Sequence, residues 1–108
     1  MSKLLNKIMT ERPILPSLIL SKRDEIRRIA GNHGANNLRI FGPVARGEAG
    51  MDKGLDLLVD KGRVTSAWFP TGLIQDLEHL LGCPVEIVTE QTLKPDIHDQ
   101  VIAEAVPL

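Results

Sequence analysis

Aromatic side chains are scarce in this chain: two phenylalanines and one tryptophan, 3% of 108 residues. Its core must therefore be packed from leucine, isoleucine and valine. No aromatics are interleaved with the early lysines and arginines, which removes the stacking platform that single-stranded nucleic acids need. A single cysteine, Cys83, excludes an intrachain disulfide and points to a reducing, cytoplasmic setting. Lying between Gly82 and Pro84 with no histidine beside it, Cys83 reads as a small buried hydrophobe rather than a nucleophile. No apolar run approaches the roughly 20 residues of a membrane span, and the start carries no secretory signal. The three histidines, His33, His79 and His98, lack metal-ligand spacing and read as surface or helix-end residues. Internal repeats, low-complexity tracts and linkers are absent.

What is present suits one small domain with one core. Hydrophobic residues make up 43% and charged residues 25% of the chain. The net charge of -1 hides an asymmetry: residues 1–40 carry 8 basic and 3 acidic side chains, residues 41–108 carry 5 basic and 11 acidic ones. Two solvated faces of opposite sign account for this, and a nucleic-acid patch is the other reading.

Residues 1–12 show no periodicity. Pro13 and Pro16 bracket an apolar run, Ile14-Leu15 and Leu18-Ile19-Leu20, expected to form a turn or short helix. Ser21 reads as the N-cap of a helix with Asp24 and Glu25 in its first turn. That helix buries Ile26, Ile29, Ala30 and His33 and ends at Gly34. Asn36-Asn37 reads as a turn and Leu38–Phe41 as the first strand. Pro43 opens a helix of about one turn, and the loop Ala49–Gly54 leads to a second strand, Leu55–Asp60. There Leu55, Leu57 and Val59 share one face, and Asp56, Leu58 and Asp60 the other. The next helix is capped by Thr65-Ser66 or begins at Pro70. It buries Leu73, Ile74, Leu77, Leu80 and Leu81 and stops at Gly82. A third strand spans Val85–Val88. A last helix starts near Pro95, buries Ile97, Val101, Ile102 and Ala105, and ends at Pro107. This order of elements suits an α/β (α+β) fold, a small mixed sheet with helices largely on one face. The apolar pair Trp68-Phe69, at a helix start, reads either as packing or as a contact for a partner.

The turn after the first strand carries the chemistry. A glycine turn opening a helix lets the backbone approach a phosphate closely and offers free N–H groups. A carboxylate on the next strand, Asp56, can hold the metal that accompanies a nucleotide, or it is a strand carboxylate on a solvated edge.

The stretch Phe41-Gly42-Pro43-Val44-Ala45-Arg46-Gly47-Glu48, with Leu55-Asp56-Leu57-Leu58-Val59 after it, resembles the signature of the minimal nucleotidyltransferases of the DNA polymerase beta superfamily. That signature runs roughly Phe-Gly-Ser-x-Ala-Arg-Gly-Glu, a short loop, then Ser-Asp-x-Asp-Leu-Leu-Val. The resemblance continues through Leu77–Glu90 and covers roughly residues 20–108. It implies an N-terminal extension over 1–20 and one nucleotidyltransferase-like domain over 21–108. The chain departs from the signature at three places: Pro43 stands for the serine of the Gly-Ser turn, Lys53 for the serine before the carboxylate pair, and Gly54 for the first aspartate of Asp-x-Asp.

By resemblance, ATP sits on the Gly-Ser turn, and Mg²⁺ bridges its phosphates to the aspartate pair and to a third carboxylate on a later strand. Here that assigns catalysis and metal to Asp56 and Glu86, and nucleotide binding to Gly42, Pro43 and Arg46. For Glu86 a solvent-facing strand residue is the other reading. For Arg46 it is a structural pairing with Glu48 or Asp56. Asp52 has the parity of the missing ligand but lies in the loop. The resemblance further implies an antitoxin that silences a HEPN-domain RNase toxin, where active by moving AMP from ATP onto a toxin tyrosine. Loss of a metal carboxylate and of the turn's hydroxyl and N–H leads us to expect binding to outlast catalysis. Two alternatives stand beside this: a catalytically dead nucleotide- or protein-binding module, and an active small-substrate nucleotidyltransferase. Asp56 and Glu86 are expected to meet at the sheet end beside Gly42. An aspartate at position 54 is expected to project to the same face as Asp56.

Overall fold

Strand parity decides which side chains the sheet buries. The computed structural model describes residues 15–108. The sequence readings for 1–12 and Ile14 lie outside the described residues. Two helices, α1 (Ser17–Ser21) and α2 (Arg23–Asn32), lead into β1 (Ala35–Phe41) and a one-turn helix, α3 (Gly42–Ala45). A 3-10 turn, Met51–Lys53, precedes β2 (Leu55–Lys61). Next come α4 (Thr71–Leu81), β3 (Val85–Val88), a second 3-10 turn (Glu90–Thr92), α5 (Pro95–Glu104) and β4 (Val106–Pro107).

The sheet order is β3-β2-β1-β4. β1 pairs antiparallel with β2 and with β4, while β2 and β3 run parallel. A parallel pair needs a crossover, and α4 supplies it. Leu55, Leu57 and Val59 face the larger core with Ile40, Val85 and Ile87. Into it α2 sends Ile26 and Ala30, and α4 sends Leu73, Leu77 and Leu81 at helical spacing. Leu15 and Ile19 join the same core, so part of the stretch before residue 21 packs with the domain. Full burial of a leucine such as Leu57 contributes roughly 1.5–3 kcal/mol. The opposite face carries a smaller cluster, Leu58, Leu93 and Val101, flanked by Phe41 and Val88 and covered by α5. Asp56 and Glu86 share the parity of Leu58 and Val88, so they open onto this second, less covered face.

Several boundaries differ from the sequence reading. Ser21 is the last residue of α1, and its hydroxyl donates back to the Leu18 carbonyl at 2.9 Å; α2 starts at Arg23 after Lys22. A serine bonded backward in this way no longer caps the next helix. Asn36-Asn37 lies inside β1 rather than in a turn before it: Asn36 pairs with Asp60, and the register then slips at a β-bulge over Asn37-Leu38, with Asn37 at φ 50. Asparagine tolerates that region, and its amide is held by Asp60 at 3.0 Å. Of the two starts considered for α4, the later one holds, at Thr71 after Pro70. Ser66 does not cap it because its hydroxyl meets His33 Nδ1 at 2.7 Å. α5 ends at Glu104, and the chain then forms β4 beside β1, with Leu108 N–H donating to the Leu38 carbonyl at 3.0 Å. Ile97, expected to be buried, is 40% exposed, because α5 turns only Val101 fully inward.

Candidate active site

β2 and β3 place Asp56 and Glu86 directly opposite each other in their parallel register. Both side chains project to the second face of the sheet, Asp56 half-buried and Glu86 exposed. Burial pushes the Asp56 pKa up, and the Glu86 charge and hydrogen bond add to this; Arg46 opposes it, and Glu104 adds a smaller push. Two carboxylates in apposition disfavour double ionisation unless a cation joins them. Asp56 and Glu86 together supply hard oxygen donors, which fits a divalent cation that keeps waters and phosphate oxygens as its remaining ligands. Among the described residues no group of three His, Cys, Asp or Glu side chains is gathered for a metal, so Asp52 is not drawn in as a third ligand.

The Gly42 turn lies against this pair. Gly42 sits at φ +75, and a Cβ there would stand 2.5 Å from Asp56 Oδ2. Only glycine lets the start of α3 approach the carboxylate so closely. Pro43 is exposed in the first turn of α3 and has no N–H to offer. The Gly42 N–H donates to Glu104 Oε1 at 3.0 Å. Arg46 Nε donates to the two Glu48 oxygens at 2.6 and 3.0 Å. Its Nη1 donates to the two Glu104 oxygens at 3.1 and 3.0 Å. The Glu48 and Glu104 hydrogen bonds together raise the Arg46 pKa, so the guanidinium stays charged.

A pocket of about 300 Å³ opens beside the carboxylates, walled by Phe41, Val88, Leu93 and Ile97, with Lys94 at its lining. A larger cleft of about 810 Å³, lined by Asp60, Lys61 and Thr89 among others, includes neither Asp56 nor Glu86. The smaller pocket is the one that holds the carboxylates, and its apolar wall explains why Ile97 is left uncovered.

The family resemblance, with strand parity for the carboxylates, located the pair, Gly42 and Arg46 in one place, but parity misjudged position 54. Gly54 precedes β2 at φ +121, and a Cβ there would meet the Pro84 carbonyl at 3.3 Å. An aspartate at 54 therefore cannot simply inherit the direction of Asp56; the backbone must first leave a glycine conformation. Of the two partners considered for Arg46, Glu48 is in contact. Glu104 was not foreseen at all: it is distant in sequence and lies at a helix end whose position only the fold reveals.

Residues outside the site keep ordinary roles. His33 bridges Ser66 and Asp76, each at 2.7 Å, tying α2, the loop before α4 and α4 itself together. Cys83 is buried, and burial together with the smaller effect of the Glu78 charge pushes its thiol pKa up, away from a nucleophilic thiolate. The Trp68-Phe69 pair splits: Phe69 packs on the core with Lys61 Nζ 5.8 Å from its ring centroid, while Trp68 is 88% exposed. No helix among the described residues is long and apolar enough to cross a membrane.

This sheet, with a glycine turn after β1 and carboxylates on adjoining parallel strands, is a nucleotidyltransferase fold. A solved minimal nucleotidyltransferase matches it with a TM-score of 0.75 at 39% identity, over 88% of this chain and 97% of that one. In sequence the chain is 33% identical over 92 residues to the protein adenylyltransferase MntA of Thermococcus cleftensis, spanning 85% of this chain and 90% of that protein. A crystal structure of a toxin–antitoxin with AMP-PNP shares the fold, with a TM-score of 0.63 at 18% identity over 81% of this chain and 69% of that one. No family model matches the chain. The chain belongs to the minimal nucleotidyltransferase family.

Proposed function

We propose that this protein is a cytoplasmic nucleotidyltransferase-fold antitoxin that binds and silences a HEPN-domain RNase toxin, with AMP transfer to that toxin weakened or lost. The observation that carries the reading is the Asp56–Glu86 pair against the Gly42 turn, with no group of three metal-holding side chains gathered there among the described residues. The relative named a protein adenylyltransferase and the toxin–antitoxin structure holding AMP-PNP support the choice of partner and nucleotide. In this reading Asp56 and Glu86 would hold the magnesium that accompanies ATP, and Arg46, with the close approach that Gly42 allows, would seat its phosphates. Magnesium, when bound, neutralises phosphate charge and favours the attacking oxygen. The transfer itself bonds an acceptor hydroxyl oxygen to the α-phosphorus and expels pyrophosphate.

What this chain can contribute is limited by Pro43 and Gly54. The proline gives the phosphate turn neither hydroxyl nor N–H, and the glycine gives the cation no oxygen. Binding to the partner needs neither, so neutralisation outlasts catalysis. Co-expression with a HEPN-domain RNase, taken from the neighbouring reading frame where one is found there, tests this. Growth should be restored by the parent and equally by Asp56→Asn. No rescue by either would reject the antitoxin reading. A chain that does not rescue but still binds ATP would instead be the binding module.

A further inference from the structure

Glu104 is the least expected residue at the turn. It ends α5, more than fifty residues from Gly42 in sequence, and its side chain is 17% exposed. One oxygen accepts from the N–H of Gly42, the first residue of α3, and both accept from Arg46 Nη1, just past the last residue of α3. A single carboxylate thus grips both ends of the one-turn helix. A four-residue helix has almost no stability of its own, so its shape must come from such outside contacts. Arg46 is held from two sides, by Glu48 at Nε and by Glu104 at Nη1, and no described residue accepts from Nη2. The guanidinium is therefore fixed in direction with one nitrogen left to meet a ligand.

We propose that Glu104 is a positioning residue for the nucleotide phosphates, fixing the Gly42 turn and aiming Arg46. This rests on the nucleotide-binding reading of the site. A carboxylate in this place could instead compete with phosphate. Glu104 is clamped on the Gly42 N–H and on Arg46 Nη1, so it holds the shape of the turn and leaves the phosphates to Arg46 Nη2. Its helix is anchored by buried Val101, and the chain after it is pinned to β1 through Val106 and Pro107. Preorganisation of the turn is what this geometry provides.

The test is ATP titration of the whole chain, with Mg²⁺, for the parent, Glu104→Gln, Arg46→Gln and the double variant, each with a thermal melt. Glutamine keeps an oxygen for the Gly42 N–H but replaces the second acceptor with an NH2 and removes the charge, which weakens its hold on the arginine. We expect Glu104→Gln to weaken ATP binding by about tenfold or more, as for partners that orient a ligand-binding group. On the Arg46→Gln background the same change should have almost no further effect, because both act through one guanidinium. Glu104→Asp, too short to span both ends of α3, should not rescue. Unchanged or tighter binding in Glu104→Gln overturns the proposal and leaves the nucleotide reading standing. An equal loss on both backgrounds also overturns it, since that is the mark of a general structural role. If the parent binds no ATP, the nucleotide reading falls and this inference with it.

Discussion

Asp56 holds its proton more readily in the folded chain than in the unfolded one, and its burial is the main reason. Proton linkage sets the sign of the effect on stability. Between the ordinary aspartate range and the raised folded value, the native state binds more protons than the unfolded state, so stability falls as pH rises through that window. The stability tied to the protonated form is fully present below the ordinary range and lost above the raised one. Asp56→Asn removes that loss. The variant should melt higher than the parent at pH 7, by no more than about 1 kcal/mol because the pair is partly solvated and screened, and the gain should vanish in acid. Paired melts at pH 7 and pH 3.5 check this. Gly42→Ala should act in the opposite direction. It sets a Cβ against Asp56 Oδ2 at a positive φ and should destabilise by roughly 1–3 kcal/mol, read by urea denaturation. Both residues were legible in sequence because strand parity and a glycine turn are local signals. Glu104 and the φ of Gly54 were not, since one depends on a long-range contact and the other on how the loop enters β2.

At the scale of elements, the strands and long helices could be read from apolar spacing, whereas short pieces escaped it. β4 spans two residues, too few for any alternation, and the bulge in β1 resembles a turn because asparagines serve both. The loop between β2 and α4 is where sequence said least, and there the structure offers a clear test. His33 ties that loop through Ser66 and reaches α4 through Asp76. His33→Ala should speed backbone hydrogen exchange in residues 63–70 while the strands stay protected, because the larger core does not depend on the imidazole. Equal acceleration in β2 would show that the bridge supports the whole sheet. Core truncation gives the contrast: Leu77→Ala should cost about 2–5 kcal/mol and loosen every element together.

Taken whole, the molecule has one well-buried aliphatic core on one face of its sheet and a thinner layer on the other. The carboxylates open on that thinner side, where α5 leaves Ile97 exposed. Two of the most exposed large apolar residues, Val64 and Trp68 at 83% and 88%, both lie on the β2–α4 loop and outside either core cluster. In the antitoxin reading such residues belong in a protein contact. Trp68→Ala should weaken capture of the HEPN partner by about tenfold or more, in line with exposed tryptophans that anchor interfaces, while leaving the melt unchanged. Capture as strong as the parent's would assign the contact to another surface.

In our reading Asp56 and Glu86, beside the Gly42 turn, form a nucleotidyl-transfer site crippled at positions 43 and 54. Its most direct test is transfer of labelled AMP from ATP to the purified HEPN partner, with and without Mg²⁺, by the parent, Asp56→Asn, and Pro43→Ser combined with Gly54→Asp. We expect slow or no labelling by the parent, none by Asp56→Asn, and faster Mg²⁺-dependent labelling by the double variant, despite the strain an aspartate meets at a φ of +121. Rapid labelling by the parent, left intact by Asp56→Asn, would contradict this reading of the site.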